Sequence, residues 1–217
     1  MPGEWETQKS VWLIWPYNEK DWPKLFKKIP DVVGKISACL SINQNVNLII
    51  KNFKDKSKIK IIIKKFKSKI SNIKFHSIRS NRIWIRDSGP IFLINKKTKN
   101  KIILNFRFNG WSKYNDFQED NKLNLKISKI TKIKKVEPVI KIKNKFKKIV
   151  MEGGSIDVNG RGTIILTKEC LLSKVQERNP GVTKSKLENA LKKYLNVSNF
   201  IWLNRGIDGD DTHGHVD

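Results

Sequence analysis

Apolar residues in this chain come in short blocks divided by polar, lysine-rich stretches, and the block lengths and periods alternate between those of strands and those of helices. Residues 11–15 (Val-Trp-Leu-Ile-Trp) are closed by Pro16 and predict a short buried strand, because proline has no N–H to extend a ladder. Over residues 21–43, Val32, Val33, Ile36, Cys39 and Leu40 recur at helical spacing, which predicts a helix with Cys39 as a core thiol. A strand at 46–50, a lysine-rich helix at 56–70 and a strand at 73–78 carrying a lone His76 follow. A short strand at 84–85 runs into Arg86-Asp87 and a Ser-Gly-Pro turn. Residues 102–108 predict a strand leading into the aromatic-polar stretch 109–114. Residues 149–160 give strand, Gly-Gly turn, strand and an Asn-Gly hairpin turn, and 163–167 return as a strand. Residues 180–194 predict a helix capped by Thr183, and 200–203 a last strand. The alternation predicts an α/β fold, with no repeat exact enough to establish internal symmetry.

At 217 residues the chain can hold one large domain or two small ones. Its formal net charge of +25, from 45 Lys+Arg against 20 Asp+Glu, raises the question of nucleic acid or an anionic membrane. The excess is mostly lysine that travels with isoleucine and asparagine, as in residues 58–65 and 141–145. That pattern is a compositional drift of a solvated surface, so nucleic acid is expected to bind only non-specifically. No apolar run reaches membrane-spanning length, and the first six residues lack the basic start and apolar core of a signal peptide. Cys39 and Cys170 have no metal-ligand spacing, which suggests reduced thiols in a cytoplasmic setting. Trp5, Trp12 and Trp22 are read as packing residues rather than a cation cage.

Three polar corners carry the candidate chemistry: Asp87, Glu152, and Asp210/Asp211 with His213 and His215. Four Asp and two His fall within the last eleven residues. Several carboxylates with an imidazole suit recognition of a guanidinium, whose N–H groups match carboxylates in a fork. The imidazole would then act as general acid/base, and a nucleophile, best a thiolate, is required. The residues equally allow a metal site, because Asp211, His213, His215 and Asp217 alternate and would share one face of a strand. The Glu152-Gly153-Gly154 corner lets backbone approach a bound group closely.

The motifs Pro2-Gly3-Glu4-Trp5-Glu6, Trp12-Leu13-Ile14-Trp15-Pro16, Trp84-Ile85-Arg86-Asp87-Ser88-Gly89-Pro90, Glu152-Gly153-Gly154-Ser155-Ile156-Asp157 and Gly209-Asp210-Asp211-Thr212-His213-Gly214-His215-Val216-Asp217 occur in one order along the chain. Together with Thr167–Ser173 and Gln176–Gly181 they resemble the agmatine deiminase / bacterial peptidyl-arginine deiminase family. The resemblance implies a pentein-type α/β propeller, of which residues 1–217 would form a single partial domain with about three of five ββαβ blades and the C-terminal blades missing. It implies hydrolysis of agmatine to N-carbamoylputrescine and ammonia, in putrescine biosynthesis in the cytoplasm, through a covalent cysteine intermediate. It implies no cofactor and no metal, a small cationic guanidine as the substrate partner, no membrane, and a homodimer when full length. By motif, Asp87 and Asp211 would bind the guanidinium, Glu152 would assist, His215 would transfer protons, and Trp84 and Arg86 would help bind substrate. The family's nucleophilic cysteine lies in a C-terminal Gly-Gly-Gly-Asn-x-His-Cys type motif that neither Cys39 nor Cys170 matches. The implied nucleophile therefore lies beyond this chain, and the chain alone is expected to be inactive. Peptidyl-arginine deimination and an inactive guanidinium-binding fragment are the alternatives.

Overall fold

The structure is a computed structural model describing all 217 residues. They divide into two compact units, Thr7–Ile85 on one hand and Met1–Glu6 with Arg86–Asp217 on the other.

In the unit Thr7–Ile85, β1 (Ser10–Ile14), α1 (Ile29–Asn43), β2 (Asn45–Ile50), α2 (Lys56–Lys64) and β3 (Ile73–Ser77) follow in order. The strands form a parallel sheet in the order β1-β2-β3, in which Leu13 lies beside Leu48 and Leu48 beside Phe75. Parallel neighbours need long crossovers, which the two helices supply. Val46, Leu48, Ile50, Ile59, Ile63 and Phe75 form the core.

Two expectations are corrected here. The first helix starts at Ile29 rather than near residue 21, because short 3-10 turns at Glu19–Asp21 and Phe26–Lys28 occupy the preceding stretch and Pro30 sits in the first helical turn. Its buried face is Val33, Gly34, Ser37, Ala38 and Ser41, while Cys39 is exposed and not a core thiol. The helices pack through small residues: a Cβ on Gly34 would lie 2.9 Å from Ile62 Cγ2. The apolar pattern pointed one position away from that small-residue face. His76 is buried, bonds Asn47 Oδ1 through Nε2 at 2.9 Å and stacks on Trp12. Burial, with Lys74 adding to it, lowers its pKa. Those contacts give it a structural role.

The second unit begins with a helical turn, α3 (Ile85–Ser88), where a short strand was expected. It continues with β4 (Ile91–Ile94), β5 (Lys101–Leu104), α4 (Leu123–Thr131) and β6 (Lys135–Val136). The hairpin β7 (Val139–Ile142) and β8 (Lys145–Lys148) follows, then β9 (Ile156–Val158), β10 (Thr163–Thr167), α5 (Lys168–Leu172), α6 (Lys184–Leu195) and β11 (Asn199–Leu203). The order repeats. β4 and β5 pair antiparallel and α4 crosses to β6, parallel to β5. β9 and β10 pair antiparallel and α6 crosses to β11, parallel to β10. Thr183 caps α6 by accepting the N–H of Lys186. Ile140, Ile149, Ile164, Leu166, Leu187 and Leu191 belong to a core shared across both repeats. Burying each such side chain contributes about 1.5–3 kcal/mol.

Candidate active site

Asp87 is the third residue of α3, which Ser88 closes just before Gly89-Pro90, and it is buried. Its Oδ2 accepts the Trp111 indole N–H at 3.1 Å, and its Oδ1 accepts the Gly154 backbone N–H at 3.2 Å. Trp111 reaches it because Trp111 and Ser112 both hold positive φ, 57° and 53°. Side chains rarely adopt that conformation, which costs about 1–3 kcal/mol per residue. Several bonds offset the strain. Asn109 Oδ1 accepts the Ser112 N–H, the Ser112 hydroxyl donates to Glu177 O, and Gln176 Nε2 donates to Trp111 O. Phe108 packs edge-on against the indole at 5.0 Å.

Glu152 follows a parallel bridge between Arg107 and Val150 that pins its segment beside β5's extension. Its carboxylate is fully buried and pairs through Oε1 with Arg178 Nε at 3.1 Å, itself a buried guanidinium. Arg178 also donates to the carbonyls of Gln176, at 3.0 Å, and Thr212. One arginine thus ties the Glu152 corner to the segment that carries His215.

That segment is organised by Asp210. Its Oδ2 accepts the backbone N–H groups of Gly214 (3.2 Å) and His215 (3.0 Å) and the Thr212 hydroxyl, and its Oδ1 accepts the Thr212 N–H. The Thr167 hydroxyl, at the end of β10, donates to Gly214 O. The Val216 N–H donates to Gly154 O at 3.1 Å. His215 is thereby held among three carboxylates. Nδ1 lies 3.7 Å from Asp87 Oδ1 and 3.8 Å from Asp217 Oδ1, and Nε2 lies 3.9 Å from Glu152 Oε2. Gly154 forms the wall: a Cβ there would collide with His215 Nδ1, Asp87 Oδ1 and Asp217 Oδ1.

Charge and burial oppose each other at each group. Burial pushes the Asp87 carboxyl up to about 6, with His215 and the Trp111 bond pulling down and Glu152 and Asp217 adding to the rise. Burial disfavours a charged Glu152 too, yet His215 and Arg178 outweigh it and hold the carboxyl below its ordinary value. Burial would lower His215, but Glu152, Asp87 and Asp217 together raise it, so the imidazolium is favoured. The spacings of 3.7–3.9 Å exceed hydrogen-bond length, leaving the carboxylate oxygens able to take further N–H donors.

The structure brings Asp87, Glu152 and His215 together and leaves Asp211 out. Asp211 is largely exposed and is bonded by Lys113 and by the Tyr114 hydroxyl at 2.7 Å, which lower its pKa. Asp217, not Asp211, is the terminal acid beside the His215 imidazole, because the turn set by positive φ at His213 and Gly214 sends alternate acids in different directions. The same turn removes the alternating metal face: β11 ends at Leu203, and His213 faces the Ser173 hydroxyl. Arg86 bonds Glu4 and lies 3.1 Å from Asp217 Oδ2, so it supports an acid of the cluster. Trp84 belongs to the unit Thr7–Ile85, where it packs on Trp22 at 5.5 Å. Of the two thiols, Cys39 is exposed on α1. Cys170 is fully buried, and burial with Glu152 beside it pushes its pKa up, so it is not a poised thiolate. Glu152, Cys170 and His215 offer three ligand atoms within 4.8 Å of one another. Trp111 and Arg178 are missed by the sequence reading, and Asp210, an acid of the terminal corner, organises the turn through backbone N–H groups. Only the pairing of a Gly-Trp-Ser turn with nearby acids hinted at Trp111.

Fold and cluster together define an α/β protein whose buried imidazole is ringed by acids suited to a planar cation. The chain belongs to the Porphyromonas-type peptidyl-arginine deiminase family, whose model matches residues 1–217. It is 32% identical over 223 residues to an agmatine deiminase of Pseudomonas savastanoi pv. phaseolicola, covering 100% of this chain and 56% of the relative. Among solved structures it is similar to the agmatine deiminase of Enterococcus faecalis (TM-score 0.83, 30% identity, 100% of this chain and 56% of that one). It is also similar to a C. jejuni agmatine deiminase described with substrate bound in a Cys-to-Ser variant (TM-score 0.80, 30% identity, 99% of this chain and 59% of that one). The chain spans a little over half the length of the relatives it matches. No helix is long and apolar enough to cross a membrane.

Proposed function

We propose that a protein containing this chain hydrolyses a guanidine, with agmatine giving N-carbamoylputrescine and ammonia in cytoplasmic putrescine biosynthesis. The observation that carries this reading is His215 held 3.7–3.9 Å from three carboxylates. Asp87 and Asp217 flank one imidazole nitrogen and suit the N–H edges of a guanidinium, while Glu152 lies beside the other nitrogen. A thiolate from outside residues 1–217 attacks the guanidinium carbon. The protonated His215 gives its proton to the departing nitrogen, releasing ammonia and leaving an amidino-thioether. Water then attacks the same carbon, His215 takes a proton from it, and the C–S bond breaks to return the thiolate and the urea product. The two ββαβ repeats, with the three-stranded unit Thr7–Ile85 counted as one more, support a count of about three of five propeller blades for this chain. The relatives' names support agmatine, and the family description makes peptidyl-arginine the second reading. Calorimetric titration of the chain with agmatine, an arginyl peptide and putrescine tests the reading. Agmatine should bind and putrescine, which lacks the guanidine, should not; equal binding of the two would refute guanidinium recognition.

A further inference from the structure

Cys170 takes no part in the chemistry above, yet its thiol lies close to Glu152 and His215. Glu152, Cys170 and His215 are each buried, and their ligand atoms fall within 4.8 Å of one another. Two of those atoms, Glu152 Oε2 and His215 Nε2, are buried with no hydrogen-bond partner. Two unpartnered buried polar atoms within 4.8 Å of each other and of a buried thiol make a ligand set for a cation. We propose that Glu152 Oε2, Cys170 Sγ and His215 Nε2 form a site for a thiophilic divalent ion, zinc above all, and that its occupancy blocks the guanidinium chemistry.

The donor types fit zinc, which takes carboxylate, thiolate and imidazole at about 2.0–2.3 Å. Such bond lengths place ligand atoms roughly 3.2–3.8 Å apart, so the 3.9 Å between Glu152 Oε2 and His215 Nε2 is already close. The supporting groups fit as well. Glu152 Oε1 is held by Arg178 at 3.1 Å, which fixes the orientation of the carboxylate. His215 Nδ1 faces Asp87 and Asp217, the carboxylate–imidazole–metal arrangement that sets which nitrogen binds the ion. On binding, the Cys170 thiol and the His215 Nε2–H each give a proton to solvent, so that Cys170 ligates as thiolate and His215 as the neutral imidazole. The ion then sits on His215, which the proposed mechanism needs for proton transfer, and on Glu152 beside it. That consequence for activity rests on the functional reading above; metal binding itself does not.

Cobalt(II), a spectroscopic stand-in for zinc, provides the test on the chain as it is. One equivalent should bind with a thiolate-to-cobalt charge-transfer absorption, zinc should displace it, and the band should persist in Cys39→Ser. Cys170→Ala should abolish the band and weaken zinc affinity at least about tenfold, as loss of a metal-site partner does. His213→Ala should leave affinity unchanged. Absence of binding, a complex without the thiolate band, or a band lost in Cys39→Ser overturns the proposal. The wild-type and Cys39→Ser spectra decide it even if Cys170→Ala folds poorly. Zinc binding without loss of agmatine binding would keep the site but separate it from the guanidinium reading.

Discussion

Replacing Arg178 by methionine probes the member of this site whose work is least visible from the sequence. The Arg178 and Glu152 side chains are both fully buried, and Glu152 Oε2 already lacks a hydrogen-bond partner. Methionine fills much of the volume but removes one of the two cations, the other being His215, that hold Glu152 ionised, together with the bonds to the Gln176 and Thr212 carbonyls. Breaking a buried ion pair from one side costs about 3–5 kcal/mol, because the abandoned charge stays in a low-dielectric site. Since the whole stability of a domain is about 5–15 kcal/mol, this is a large fraction of it. Glu152→Gln in the same chain removes the orphaned charge, so the double variant should recover roughly 1–3 kcal/mol. Native-state hydrogen exchange reads the effect by region. At about 1.4 kcal/mol per factor of ten, amides of β9 and β10 should lose protection by roughly a hundred- to several-thousandfold. Amides of β2, in the unit Thr7–Ile85, should not change. A loss below about 1 kcal/mol, or no recovery in the double variant, would refute the view that Arg178 neutralises and positions Glu152.

Three further outcomes follow from the geometry. The Asp87 carboxyl is pushed from 3.8 to about 6, so the fold favours its protonated form. That contribution is full below pH about 4 and is lost as pH rises through about 6, at about 1.4 kcal/mol per unit or roughly 3 kcal/mol in all. Asp87→Asn should therefore be more stable than wild type at pH 8 by up to about 3 kcal/mol, with the difference gone near pH 4 in urea titrations; a pH-independent difference would refute the buried-carboxyl assignment. Gly154→Ala should abolish agmatine binding in calorimetry, because its Cβ would fall 2.7 Å from Asp87 Oδ1; unaltered binding would place the ligand elsewhere. Trp111→Phe removes the indole N–H from Asp87 and should raise the midpoint of the pH transition just described, while an unchanged midpoint would show that the bond does not tune the carboxyl.

The strands and crossovers of Thr7–Ile85 were legible because continuous apolar runs such as 46–50 belong to a buried parallel sheet. The first helix was legible but its face was not: packing runs through Gly34, Ser37, Ala38 and Ser41, and small residues carry little apolar signal. The hairpin β7–β8 hid inside what reads as lysine drift, although Ile140 and Ile142 alternate with Lys141 and a positive φ at Lys143 makes the turn. Helix α4 was hidden in the same lysine-rich composition, its buried face reduced to Leu123, Asn124 and Ile127. At the site, the three corners were visible as acids and an imidazole beside glycine turns. Which terminal acid enters the cluster was not, because the answer depends on the turn at His213-Gly214 and on Asp210 being consumed by backbone N–H groups. Arg178 carries no sequence signal of its role, because arginine is ordinarily exposed and this one is buried.

The most direct test is agmatine titration watched at the His215 imidazole by NMR, in the wild-type chain and in Asp217→Asn and Asp211→Asn. The account predicts that agmatine perturbs the His215 ring resonances, that Asp217→Asn removes the response, and that Asp211→Asn leaves it intact. A silent His215, or a response lost in Asp211→Asn and kept in Asp217→Asn, would contradict it.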